Sequence, residues 1–507
     1  MNGSRLKSVI ENKPRLATQI GFILYGIASL IFLEMGQVNG DEGWYLYGSK
    51  LAMQGQLPYR DFAYTQMPLL PYIYGVIQIV YPSLWWGRLT SIVISLGIFV
   101  LGVVAARRVA GTRAGAITAL FLAAFTFGIY FNTIVKTYAL LSFFFVATLW
   151  VLTSQLDDAL KYPLASLFAF AATFVRITAL FFLAPLLLYA FVAARSLRTR
   201  VLLLIECGVA ILAGGFFLLP DEIAARWNLF DSHLSHWGDA TTYMRVESLL
   251  TERLPDLIQN FGLLVMLFAA AVYAIGRIGK LDGRRQDSRP LVVVTVGLFL
   301  FAMAHLVNGI WVIEYMVPAV VAFFPILGIV LSQAYGGFEK SARLFFQGLV
   351  AMALVLLVFN ESVAHIDVTG RQLPLSEVEQ AAMFVQRESQ PSDLILALEG
   401  LGVVVDADRS TLPGFTLAQF SLQSLDTSSA QQLHVVNPAL LVAAVNQSNP
   451  PIILLTDADW VRLNLIDVPN ANLLRQMLAQ RYHLGLSIPR FGQSATLLSI
   501  YVSNSQQ

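Results

Sequence analysis

Two adjacent carboxylates, Asp41 and Glu42, stand just beyond the first apolar run of the chain, in Gly40-Asp41-Glu42-Gly43-Trp44-Tyr45-Leu46-Tyr47. Ionised carboxylates are costly near a bilayer, so an acidic pair held at the membrane surface of an apolar protein points first to catalysis or ion binding. The same loop adds a guanidinium and a third carboxylate, Arg60 and Asp61. A more ordinary reading competes at each position: Asp41 as the cap of a helix, Arg60 with Asp61 as a surface ion pair. His233 and His236 have the spacing of two metal ligands on one helical face, but no third ligand accompanies them. They read better as contacts to an acceptor or a headgroup. His305 and Glu314 border a short outer loop and are open to either kind of role.

These residues must be positioned by membrane helices. The chain is 56% hydrophobic and 13% charged, whereas soluble domains carry about 25% charged residues. Its 33 Lys and Arg nearly cancel its 32 Asp and Glu, so bulk charge points to no nucleic-acid partner. The single cysteine, Cys207, excludes an intramolecular disulfide and a cysteine-rich metal site. Apolar windows predict about eleven spans, near 16 to 35, 86 to 105, 114 to 132, 138 to 153, 162 to 176, 178 to 194, 201 to 219, 258 to 276, 290 to 307, 315 to 335 and 344 to 360. Loops bearing Arg107, Arg108, Arg113, Arg195, Arg198, Arg200, Arg284 and Arg285 fall on one side with the N-terminus, which makes that side the cytoplasm of a plasma (inner) membrane protein. The Asp41 loop, the 220 to 257 loop and the C-terminal tail then lie outside.

Within the first outer loop, Asp41 can cap a helix running to about Gln54, with Trp44, Tyr47, Gly48 and Leu51 on one face and Gly55 as a stop. Leu69 to Tyr81 is apolar, bounded by prolines and too short to cross. Both segments are expected to lie in the interface. Beyond the last span the pattern becomes α/β, with strands expected at 393 to 398, 402 to 406, 451 to 456 and 495 to 502 and helices near 377 to 388 and 471 to 481. The chain thus divides into a membrane domain, 1–365, and a small extracytoplasmic α/β domain, 366–507. Asp406-Ala407-Asp408 and Asp457-Ala458-Asp459 imitate an Asp-x-Asp signature, but each follows a short strand and reads as turn and cap residues.

The acidic run, with Gly55-Gln56-Leu57-Pro58-Tyr59-Arg60-Asp61-Phe62 and Met67-Pro68-Leu69-Leu70-Pro71-Tyr72, resembles the first outer loop of bacterial GT-C glycosyltransferases related to protein O-mannosyltransferases and aminoarabinose transferases. Trp86-Gly87-Arg88-Leu89, Arg176-Ile177-Thr178-Ala179-Leu180 and Glu314-Tyr315-Met316-Val317-Pro318-Ala319 are also similar. The resemblance covers roughly residues 16 to 360. It implies a GT-C-like bundle that moves a sugar, with inversion, from a polyprenyl-phosphate donor to a lipid, glycan or protein acceptor on the outer face. Asp41 would be the base, with Glu42 beside it, while Arg60, Arg88, Lys136 and Arg176 would be candidates to hold the leaving phosphate. The cations could equally snorkel to headgroups. Relatives usually carry a second acidic residue between the third and fourth spans, where this chain has Lys136-Thr137-Tyr138. With Tyr138 or Thr137 in that place, no obligatory metal is expected, and a divalent metal stays as the alternative. A transporter or flippase for a lipid-linked glycan, or a non-catalytic GT-C relative, are the competing readings.

Overall fold

The computed structural model describes residues 3–232, 242–262, 288–307, 310–337, 340–358 and 374–504. The first half is helical: α1 (Gly3–Met35), α2 (Gly40–Met53), α3 (Leu69–Val80), α4 (Leu84–Ala124), α5 (Thr126–Phe131), α6 (Thr137–Leu152), α7 (Asp158–Val175), α8 (Leu180–Ala193) and α9 (Leu197–Leu218). Apolar helices follow at Arg289–Leu306, Val317–Gly337 and Lys340–Val358. Among the described residues five segments are long and apolar enough to cross a bilayer: Lys13–Met35, Leu84–Ala124, Leu197–Leu218, Arg289–Leu306 and Ile313–Tyr335. The protein is a multi-pass membrane protein. The count of about eleven is not met by length alone, because α6 and the 177 to 193 segment are apolar but short. The expected 258 to 276 span lies mostly outside the described residues.

The longest helix accounts for two expected spans. In α4 the backbone leaves helical geometry at Ala110 and at Gly111, whose φ of 81° is open to glycine and strained for most L residues. A Cβ on Gly115 would lie 3.3 Å from the Val103 carbonyl and 3.2 Å from the Arg107 Cβ, so the chain doubles back on itself there. α7 and α8 remain separate helices, divided where Arg176 is extended (φ −151°, ψ 126°). The core of the bundle is α4 against α1, α6 and Val317–Gly337.

From Pro374 onward the chain forms a five-stranded sheet, β1 (Leu394–Ala397), β2 (Ser410–Thr411), β3 (Ile452–Thr456), β4 (Tyr482–Phe491) and β5 (Thr496–Ser503), in the order β2-β1-β3-β5-β4. β1 is parallel to β2 and β3, and β5 is antiparallel to β3 and β4. The expected strand at 402 to 406 is instead a helix, Leu401–Asp406. Its valines are all buried, so the branched run that reads as a strand here lines a helix with apolar cover on every side. β2 and β4 were not expected.

This α/β layer sits on the first loop. Lys50 donates to Asp408 (2.7 Å) and to the Arg409 carbonyl (3.1 Å), Leu84 N–H donates to Asp406 (2.7 Å), and Thr411 N–H donates to the Tyr47 hydroxyl (2.9 Å). Burial pushes the Asp406 carboxyl up to about 7, against the pull of the Leu84 N–H. α2 is therefore internal, with all but three of its residues buried, where an interfacial amphipathic helix was expected. Its cap is Asn39, whose side chain accepts from Asp41 N–H (3.1 Å), so Asp41 is spared that task.

Glycine makes the docking possible at one point: a Cβ on Gly43 would come within 2.6 Å of the Gly402 nitrogen. Overpacking of this kind costs about 1 to 3 kcal/mol. Gly43→Ala should therefore lower the melting temperature of the detergent-solubilised protein. Gly26→Ala, where nothing lies within 4 Å, should leave it equal or higher. An unchanged melt for Gly43→Ala would mean the two layers are not pressed together at that point.

Candidate active site

Helix α2 starts where it does because Asn39 and Glu42 cap one another: Asn39 N–H donates to Glu42 Oε1 at 3.0 Å. Glu42 is fully buried and receives both arms of Arg88, Nε at 2.8 Å and Nη2 at 2.6 Å, together with the N–H of Val135 at 3.1 Å. The remaining Arg88 donors go to carbonyls at the end of α1, Leu33 and Gly36 at 3.0 Å each and Gln37 at 3.1 Å. A carboxylate and a guanidinium can share a dry interior only when nearly every lone pair and N–H is matched, and here they are.

The pair is thus internal, where a solvated Glu42 and a phosphate-facing Arg88 were expected. Glu42 and Arg88 are not among the residues that line the cavity holding Asp41: the Glu42 oxygens and the Arg88 donors are all engaged within the protein. Arg60 and Asp61 pair with each other (2.6 Å) on the surface, and Asp61 also accepts from Leu57 N–H, so they shape the loop and stay out of the cavity. His233 and His236 lie outside the described residues.

The flanking residues do face a cavity. A space of about 420 Å³ opens between the end of the bundle and the sheet layer. Asp41, Trp44 and Tyr45 come to it from α2, Lys136 and Tyr138 from the start of α6, and Arg176 from the α7–α8 break. Glu314 and Tyr315 come from the turn before Val317. Lys136 Nζ bridges Asp41 Oδ2 at 2.9 Å and Glu314 Oε1 at 2.7 Å, and the Tyr138 hydroxyl donates to the same Glu314 oxygen at 3.0 Å. Burial disfavours a charged lysine, but Asp41 and Glu314 outweigh it and hold the ammonium well above its ordinary pKa. Asp41 Oδ1 accepts from Trp44 Nε1 at 3.1 Å, and Trp44 in turn stacks on Tyr45 with centroids 3.7 Å apart.

Arg176 is buried, 6% exposed, with its guanidinium 4.2 Å from the centre of the Tyr315 ring. Among the described residues it has no carboxylate partner, whereas Lys136 has two. The cavity thus presents a carboxylate, Asp41, and an uncompensated guanidinium, a pairing suited to accepting a proton and holding an anion. Two carboxylates in one cavity could together hold a metal, but an ammonium already stands between them. Among the described residues no group of three or more His, Cys, Asp and Glu is suited to hold a metal ion.

Sequence reasoning missed the far wall, which Leu417, Phe420, Gln423, Arg462 and Gln493 supply from the sheet layer. Gln493 is also tied to the first loop, accepting from Gly40 N–H at 3.3 Å. His305, flagged as ambiguous, is buried beside Thr178 (3.0 Å) and the Tyr315 ring. The Asp-x-Asp aspartates are caps and ties: Asp406 on α4, Asp408 on Lys50, and Asp459 on the N–H of Thr456 (2.9 Å).

The helical membrane bundle, with a cavity under an appended α/β layer, is a GT-C-like fold. ArnT from Cupriavidus metallidurans bound to undecaprenyl phosphate superposes with a TM-score of 0.57 at 13% identity, over 96% of this chain and 97% of that one. Its apo form gives 0.54 at 12% identity, covering 98% of each chain. At so low an identity the likeness concerns the fold alone. No protein-family model matches the sequence, and no curated protein does.

The buried pair carries a prediction. Removing one partner of a buried ion pair costs about 3 to 5 kcal/mol, because the other charge is left unmatched. Glu42→Gln should sharply reduce the yield of monodisperse protein and its melting temperature, whereas Arg60→Gln, at an exposed pair, should change neither. Size-exclusion profiles and thermal melts of the two variants decide this. A well-behaved Glu42→Gln protein would mean that Arg88 is satisfied by the α1 carbonyls alone.

Proposed function

We propose that this protein is a membrane glycosyltransferase that moves a sugar from a polyprenyl-phosphate carrier to an acceptor hydroxyl on the extracytoplasmic face of the plasma membrane, with inversion. The observation that carries the reading is the opposition, in one cavity at the end of the bundle, of the Asp41 carboxylate and the uncompensated Arg176 guanidinium. The fold it shares with an ArnT solved with undecaprenyl phosphate supports a lipid-phosphate donor. So does the compartment: an activated sugar outside the cytoplasm must arrive on a membrane-embedded carrier.

In this reading the acceptor hydroxyl gives its proton to Asp41 as its oxygen attacks the anomeric carbon. The bond from that carbon to the phosphate oxygen breaks, and its electron pair leaves with the phosphate. Attack opposite the leaving group inverts the centre. Arg176 holds the departing phosphate, with Tyr315 keeping its guanidinium in place. Tyr138 and Glu314 act by holding Lys136, and through it Asp41. About eleven spans, a cytoplasmic N-terminus and an extracytoplasmic domain from about residue 366 complete the topology. The acceptor is a lipid, glycan or protein, and the sheet layer forms the wall it meets.

Purified protein in nanodiscs, given a synthetic polyprenyl-phosphate sugar and an envelope extract as acceptor source, should release free polyprenyl phosphate and label a product. Charge-assisted contacts contribute about 1.5 to 3 kcal/mol, so Arg176→Met should raise the donor KM by about one to two orders of magnitude. Translocation of the lipid-linked sugar without release would support a flippase instead. An unchanged donor KM would remove Arg176 from the phosphate site.

A further inference from the structure

We infer that the Lys136 ammonium is a built-in substitute for a divalent cation, tethered between the two carboxylates that would otherwise hold a metal. Hard divalent ions beside phosphate groups are commonly held by one or two carboxylates, with water and the substrate completing the shell. Asp41 and Glu314 form such a pair. They come from segments far apart in sequence, face one cavity, and aim an oxygen each at a single point. That point is taken by Nζ, 2.9 Å from one oxygen and 2.7 Å from the other.

Metal and ammonium exclude each other there. A magnesium-sized ion needs oxygens at about 2.1 Å, which would set it directly against the lysine's own charge. Nor can the lysine readily swing aside. Its side chain is 7% exposed, its nitrogen lies 5.7 Å from the Phe131 ring centre and 5.4 Å from that of Tyr138, and its backbone N–H is held by the Ile134 carbonyl at 3.0 Å. The carboxylates are also committed around it: Asp41 accepts from Trp44, and Glu314 accepts from the Tyr138 hydroxyl. The second carboxylate is therefore present, but an internal cation has replaced the external one. Lys136 is a positioning residue. It pairs with Glu314, holds Asp41 in place, and leaves Arg176 without a carboxylate partner among the described residues.

The inference deepens the transferase reading, yet its test needs no turnover. Purified full-length protein is titrated with Mn²⁺ alone and bound ion is read by electron paramagnetic resonance. Wild type should show no stoichiometric site. Lys136→Ala should gain one Mn²⁺ per chain, and the double variant Lys136→Ala/Asp41→Asn should lose it. If the alanine variant is not monodisperse, Lys136→Ser replaces it. A stoichiometric Mn²⁺ in wild type that Asp41→Asn abolishes would overturn the inference, as would a folded lysine variant that binds none. Failure of the transferase reading looks different: no sugar transfer with any cation, whatever the Mn²⁺ result.

Discussion

The buried pair of Arg88 and Glu42 is the constraint on which the rest of the site depends. It joins four pieces of chain: the carbonyl end of α1, the first turn of α2, the start of α4 and the segment entering α6. A guanidinium is suited to the α1 terminus, where several carbonyls lack intrahelical partners and the helix dipole favours a cation. Desolvating both charges is expensive, and the gain comes only when the whole set of partners is in place. The arrangement therefore tolerates little slippage. Its effect on the cavity runs through neighbours in sequence: Glu42 precedes Gly43 and follows Asp41, and Val135, held by the same carboxylate, precedes Lys136. Asp41 and Lys136, which face the cavity, are each one residue away from a member of this buried cluster, Glu42 and Val135.

A second constraint acts from above. The sheet layer closes over α2 through Gly402 on Gly43, Asp406 on Leu84, and Asp408 on Lys50. Because α2 is enclosed, Asp41 and Trp44 open only into the space between the layers. The appended layer is therefore part of the cavity, and it brings a third cation, Arg462, whose guanidinium lies over the Phe420 ring. With Lys136 and Arg176 opposed by Asp41 and Glu314, the lining favours an anionic guest.

Much of this was legible in the sequence, and the reasons differ by element. Apolar length marked the helices, and the acidic run marked α2 because carboxylates beside a membrane stand out. The Arg176 break was visible as a cation between two short apolar runs. What failed to show depended on contacts between distant segments. Arg88 opening a span looks the same in sequence whether it snorkels, clamps a phosphate or pairs with Glu42; only the approach of α1 decides. No carboxylate stands beside Tyr138 in sequence, but Glu314, 176 residues later, reaches the same cavity and accepts a hydrogen bond from the Tyr138 hydroxyl. Val403, Val404 and Val405 signal a strand locally, yet packing against α2 from one side and the sheet from the other makes a buried helix of them. β4 was hidden because its residues are mostly exposed, leaving little apolar alternation to read.

The central claim is that the Asp41 carboxylate accepts the acceptor's proton. Asp41→Asn keeps the volume and an oxygen for the Trp44 indole but cannot take a proton. The most direct measurement is therefore its rate of sugar transfer with donor and acceptor saturating, beside its melting temperature and donor binding. Transfer should fall by about 10² to 10⁴-fold, with folding and donor binding retained. Transfer at close to the wild-type rate would contradict it.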